Sequence, residues 1–144
     1  MKKILKNKKG FTLVELLAVI VVLAIIMVIA TQQVSNTIKK SRANSYFETV
    51  QSIRKGMQTA CANDNSVNGT TIEDYVEYSD VTVKYVEASD TKDKEGNTVH
   101  NPAHFEISPS DSGKFKNMDI NELSKNANSI YTISNTTVTF NSDC

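Results

Sequence analysis

Residues 11–30 form a run of twenty residues in which only Thr12 and Glu15 are polar. A helix rises about 1.5 Å per residue, so this run makes a helix of about 30 Å, the thickness of a bilayer hydrocarbon core. A carboxylate inside such a segment costs on the order of a few kcal/mol unless it reaches the interface or meets a partner. The run therefore predicts a membrane-spanning helix, with Glu15 at a functional position.

Basic residues precede this run and set its predicted orientation. The first nine residues contain five lysines: Lys2, Lys3, Lys6, Lys8 and Lys9. A basic flank of this kind is retained on the cytoplasmic side of a membrane. We therefore expect a single-pass protein of the cytoplasmic membrane, with its N-terminus inside and the residues after the run outside the cytoplasm.

The junction between the basic flank and the apolar run carries a specific motif. Residues 8–16 read Lys-Lys-Gly-Phe-Thr-Leu-Val-Glu-Leu and resemble the class III signal peptide of type IV prepilins and the related pseudopilins. The resemblance implies that a prepilin peptidase and methyltransferase cuts between Gly10 and Phe11 and methylates Phe11. It also implies that Glu15 attracts the N-terminal amine of a neighbouring subunit. A buried carboxylate is tolerated beside an ammonium, whereas breaking such a pair is expensive.

This resemblance, which covers about the first third of the chain, implies a structural protein without a cofactor. The subunit would rest in the membrane and then polymerise through its N-terminal helix into a helical homo-oligomer, an extracellular type IV pilus. Its further partners would be the pilus assembly platform and a cytoplasmic ATPase. A pseudopilin of a type II secretion or competence system has the same N-terminal signature, so that alternative stays open.

Three other interpretations of the apolar run compete with this one. The first is an unprocessed anchor in which Glu15 snorkels to the interface, and the second is an ordinary signal peptide cut after Ala30. Either would make the protein a membrane-anchored or secreted binding domain. The third, a buried core helix, is excluded because no other part of the chain is apolar enough to surround it.

The formal charge of the whole chain is zero, but the charges are unevenly distributed. Five of the sixteen basic residues lie in residues 1–10, so the remaining chain has eleven basic and sixteen acidic residues and a net charge of −5. Direct nucleic-acid binding needs a basic surface, so we do not expect it.

Helical character continues beyond the predicted span. Residues 31–62 contain no proline, and their apolar residues recur at steps of three and four, with one longer gap at Arg42. This stripe comprises Val34, Ile38, Tyr46, Val50, Ile53, Met57 and Cys61. Many relatives have a helix-breaking proline at the position of Gln32, and its absence here favours an uninterrupted helix.

We predict an α+β fold in which this helix packs against a small antiparallel sheet. The predicted parts are a leader (1–10), a transmembrane or filament-core helix (11–30), its amphipathic continuation (31–62) and a globular head (63–144). Within the head we expect a helical turn over 71–78, strands over 81–87 and 105–107, a charged loop over 89–102, a short helix over 119–126, and a hairpin from 130 to 140 that turns near Asn135.

The sequence contains no catalytic constellation and no complete metal motif. His100 and His104 flank Pro102 and lack a neighbouring cysteine, so we interpret them as a loop pair. Asp90, Asp93 and Glu95 lack the closing glutamate of a calcium loop and predict a solvated turn.

The two cysteines, Cys61 and Cys144, both fall on the predicted extracytoplasmic side, where disulfides persist. A bridge between them would join the C-terminal hairpin to the helix and close a loop of over eighty residues. The alternative is two unpaired thiols. We favour the disulfide.

Overall fold

The computed structural model of the chain describes residues 10, 12–63 and 79–142. Its elements in order are α1 (Leu13–Asn63), β1 (Val81–Val86), β2 (Ser89–Lys92), β3 (Thr98–Asn101), β4 (His104–Pro109), α2 (Ile120–Ser124), β5 (Tyr131–Ser134) and β6 (Thr137–Asn141). A long N-terminal helix followed by a small antiparallel sheet confirms the predicted α+β fold. Two compact units meet within α1, between Asn36 and Thr37.

Helix α1 runs without interruption from Leu13 to Asn63. It passes through Gln32, a position at which a proline would have removed a backbone donor. The first proline of the sequence is Pro102. The prediction of an unbroken helix is therefore confirmed.

The second unit contains a four-stranded sheet in the order β1-β4-β6-β5, which the sequence left open. All its neighbouring strands are antiparallel. Alternate residues of β4 and β6 are buried on one face: Phe105, Ile107, Val138 and Phe140. This period-two pattern is that of a sheet covered on one side.

The second part of α1 supplies the opposite half of the core. Its buried side chains are Ala43, Tyr46, Phe47, Val50, Ile53 and Met57. Val34 and Ile38, which we assigned to the same stripe, are 57% and 45% exposed, so that part of the prediction is wrong. The buried stripe begins only at Ala43, a small residue within the gap in the predicted pattern.

Aromatic contacts and one buried hydrogen bond join this helix to the remainder of the core. The ring of Phe47 lies edge-on to that of Tyr131, with centroids 5.1 Å apart, and Tyr46 packs similarly on Phe115 at 5.3 Å. The Tyr46 hydroxyl donates to the backbone oxygen of Ile107 in β4 over 2.7 Å. Burial raises the pKa of Tyr46 above its ordinary value.

The segment that we predicted as a charged loop, 89–102, instead contains the β2–β3 hairpin. Asp93 Oδ1 accepts the backbone N–H groups of Glu95 and Asn97, and Gly96 takes a φ of 87°. This turn reverses the chain and allows the flanking residues to pair. Its strand side chains are largely exposed, so no apolar alternation announces them.

The other short elements follow the sequence closely. Asp119 caps α2, where its Oδ1 accepts the N–H groups of Asn121 and Glu122. Strands β5 and β6 form the predicted hairpin, with Asn135 at a positive φ of 57° in its two-residue turn. The helical turn predicted over 71–78 lies outside the described residues.

Candidate functional site at the start of the apolar helix

Thr12 and Glu15 form a reciprocal cap at the start of α1. The backbone N–H and the hydroxyl of Thr12 donate to Glu15 Oε2 over 2.9 and 3.0 Å. The N–H of Glu15 donates in return to Thr12 Oγ1 over 3.3 Å. This is the capping-box arrangement, in which a Thr and a Glu three residues later satisfy donors at the helix start.

The capping role gives Glu15 a local partner that our sequence analysis missed. The signal was present, because Thr12-Leu13-Val14-Glu15 fits the Thr-x-x-Glu pattern before an apolar run. Both Thr12 bonds end on Oε2. Among the described residues, no hydrogen bond reaches Oε1.

The predicted processing site adjoins this cap. Gly10 is exposed, and a Cβ placed on it would meet no described atom within 4 Å. Phe11, the predicted methylation site, and the lysines of the leader lie outside the described residues. Cleavage after Gly10 and methylation of Phe11 therefore stay predictions.

The apolar side chains of residues 13–29 are not covered by any described part of the chain. The large apolar side chains of residues 13–29 are each 50–81% exposed. By length and composition α1 is able to cross a membrane, a property that N-terminal signal sequences share. The exposed apolar surface calls for an apolar environment, either lipid or other protein.

Cys61 lies near the end of α1, half-buried against the core. It is disulfide-bonded rather than a free thiol. Cys144 lies outside the described residues, so the pairing of these two cysteines stays a prediction.

The residues that we considered as metal ligands occupy separate surface positions. His100 Nδ1 lies 2.6 Å from Asp90 Oδ1 across the β2–β3 pair, whereas His104 Nδ1 lies 3.0 Å from the Pro102 oxygen. Within residues 10, 12–63 and 79–142, no three His, Cys, Asp or Glu side chains are grouped to hold a metal ion. Hydrogen bonds from Asn97 and, to a smaller extent, from Glu95 lower the pKa of Asp93, which acts as a turn residue.

Comparison with known protein families gives a match on this N-terminal region. Residues 5–31 match the family model of the prokaryotic N-terminal methylation motif, which includes Gly10, Phe11 and Glu15. No curated protein and no solved structure shows significant similarity to the chain. The matched motif is the class III signal peptide, and it precedes a long apolar helix and a small antiparallel sheet. This motif is the N-terminal signal of type IV pilins and pseudopilins, and its presence at residues 5–31 supports that family for the chain.

Proposed function

We propose that the chain is the structural subunit of a type IV pilus. A prepilin peptidase cleaves it after Gly10 and methylates Phe11, and the mature subunit polymerises through α1 into a surface filament. Before assembly it rests in the cytoplasmic membrane with its N-terminus inside. The observation that carries this proposal is the match of residues 5–31 to the N-terminal methylation motif.

The chemistry of Glu15 supports a role in ordering subunits. A carboxylate has two oxygens and about four acceptor positions, and only Oε2 takes the two Thr12 bonds. Oε1 is therefore able to accept the N-terminal ammonium of a neighbouring subunit while the cap stays intact. Such a pair neutralises a charge that would otherwise be costly in an apolar filament core.

The exposed apolar face of α1 supports both the membrane-anchored state and the assembled filament. In the membrane, lipid covers the side chains of residues 13–29, and in the filament the helices of neighbouring subunits cover them. The chain supplies only one half of each interface, which explains why these side chains are exposed in the single subunit.

A pseudopilin of a type II secretion or competence system is the second candidate. It stays open because the two share the same N-terminal motif and because the unbroken helix through Gln32 lacks the proline that many pilins have at that position. A gene for a retraction ATPase beside this one would favour a retractile pilus.

We also propose that Cys61 pairs with Cys144. Chain entropy gives such a long loop a stabilisation of roughly 4–5 kcal/mol as an upper value. An intact mass that rises by two hydrogens on reduction supports the pairing. An unchanged mass contradicts it.

Three variants distinguish the proposed charge pairing of Glu15 with a neighbouring subunit from its role as a helix cap. Gln is an accepted capping-box residue at this position but has no charge. Glu15→Gln thus keeps the cap and loses the ion pair, Glu15→Ala loses both, and Thr12→Ala loses the cap alone. The readout is the amount of each variant in membranes and in sheared surface filaments.

We expect all three variants to accumulate in the membrane. Glu15→Gln and Glu15→Ala should both be absent from sheared filaments, whereas Thr12→Ala should still be incorporated. Filaments built normally from Glu15→Gln would show that capping, and not charge pairing, is the purpose of this residue.

A further inference from the structure

Four cations lie near the start of the second unit, three on α1 and one in a loop that is hydrogen-bonded to it. Lys39, Lys40 and Arg42 lie in the first turns of that unit, and Lys116 lies in the loop before α2. The Arg42 Nη1 group donates to the backbone oxygen of Lys116 over 2.9 Å. The loop is joined to the helix again where the N–H of Asp119 donates to the oxygen of Lys39 over 3.1 Å. We call these four residues the basic collar.

The collar cations are exposed and have no acidic partner among the described residues. Other lysines of the head do have one: Lys114 lies 3.4 Å from Asp80, and Lys125 lies 2.6 Å from Glu122. Asp119 Oδ1 instead accepts two N–H groups of the α2 cap. Four charges held together without neutralisation favour binding of an anionic partner.

Apolar surface lies beside this charge. Lys116 and Ile120 line the same open groove, together with Asp111, Phe115 and Met118. Ile120 is 43% exposed, although it is a large apolar side chain. Basic and apolar side chains on one surface are typical of segments that lie at a membrane interface.

The collar follows the apolar run closely in the sequence. Lys39 comes nine residues after Ala30, the last residue of the apolar run. The headgroup layer extends about 5–8 Å beyond the hydrocarbon core, and charges act over a further Debye length of about 8 Å. Lysine side chains add their own reach toward the interface. The mature chain has a net charge of −5, so the collar is well suited to offset its repulsion from an anionic surface.

We propose that the basic collar binds anionic phospholipid headgroups on the membrane in which the subunit waits before assembly. This inference rests on the membrane-anchored state of the proposed function. The contact holds the head against the membrane surface and is released when the subunit is extracted into a filament. The alternative occupant, an acidic surface of a neighbouring subunit, is an outcome of the test below.

The test uses the full-length chain in two kinds of vesicle, phosphatidylcholine alone and phosphatidylcholine mixed with phosphatidylglycerol. A membrane-impermeant amine-acylating reagent modifies exposed lysines, and mass spectrometry measures the extent at each site. Lys92 and Lys94 serve as internal controls because they belong to the β2–β3 hairpin. This hairpin connects β1 and β4 at the Val86–His104 end of the pair. The loop that contains Lys116 follows β4 at the opposite, Val81–Pro109 end.

Each basic residue near an anionic surface is worth about a fivefold gain in binding. We therefore expect acylation of Lys40 and Lys116, relative to Lys92 and Lys94, to fall by at least about fivefold in the phosphatidylglycerol vesicles. High salt should restore it. The Lys40→Glu/Lys116→Glu variant should lose the protection of Lys39, and the matched Lys92→Glu/Lys94→Glu variant should keep it.

Equal acylation of the collar lysines in both vesicles would overturn the proposal. It would point to a neighbouring subunit if Lys40→Glu/Lys116→Glu also failed to enter filaments. Failure of the chain to float with phosphatidylcholine vesicles is a different result, since it contradicts the membrane anchor itself and with it both proposals.

Discussion

Tyr46 links α1 to the sheet through a buried hydroxyl group. It is fully buried, and its hydroxyl is 2.7 Å from the Ile107 oxygen. The periodicity of the sequence placed Tyr46 correctly on the packing stripe. Its hydrogen-bond acceptor could not be predicted, because the strand order, which brings β4 next to the helix, could not be derived from the sequence.

We expect Tyr46→Phe to lower the free energy of unfolding by about 1–3 kcal/mol, because the Ile107 oxygen is then buried without its donor. Burial raises the pKa of Tyr46, so the folded state keeps the proton at a pH where the unfolded chain loses it. The stability that Tyr46 provides is thus complete below about pH 10 and is lost as the pH rises further.

The measurement is thermal unfolding of the full chain in detergent, followed by circular dichroism as a function of pH. The difference in unfolding temperature between the natural chain and Tyr46→Phe should become smaller above about pH 10. A difference in unfolding temperature that stays constant with pH would show that folding does not raise the pKa of the Tyr46 hydroxyl. Ser52→Ala, which removes an exposed helix hydroxyl, serves as the control and should cause little change.

At the scale of elements, the sequence predicted α1, α2 and the β5–β6 hairpin, because each has a strong local signal. The sequence shows a helical period without proline for α1, a capping residue, Asp119, for α2, and a turn residue, Asn135, for the hairpin. The β2–β3 hairpin was missed, since its strands are exposed and it depends on the side chain of Asp93. Val34 and Ile38 were misassigned because periodicity does not reveal where a packing partner begins.

The helix offers a matched pair of substitutions that tests where its packed face begins. Ile53 is 1% exposed, whereas Ile38 on the same helix is 45% exposed. We expect Ile53→Ala to cost about 2–5 kcal/mol of unfolding free energy through lost burial and a cavity. Ile38→Ala should change it by no more than about 0.5 kcal/mol. Equal losses in detergent-solubilised protein would contradict this boundary.

At the scale of the whole molecule, the two compact units differ in the chemistry of their surfaces. The first unit presents apolar side chains, and the second buries its own core and presents a polar, acidic surface with one basic end. The N-terminal motif and the fold class were both predictable, because each follows from residue order alone. The basic collar was not, since Lys116 joins Lys39 and Arg42 only through the folded loop.

The most direct test of the account is the intact mass and N-terminal sequence of the protein from native membranes and from sheared surface material. We predict a chain that begins at methylated Phe11 and is present in the sheared fraction. A chain that begins after Ala30, or at an uncut Met1, would contradict the account and show that this protein is not assembled as a pilin.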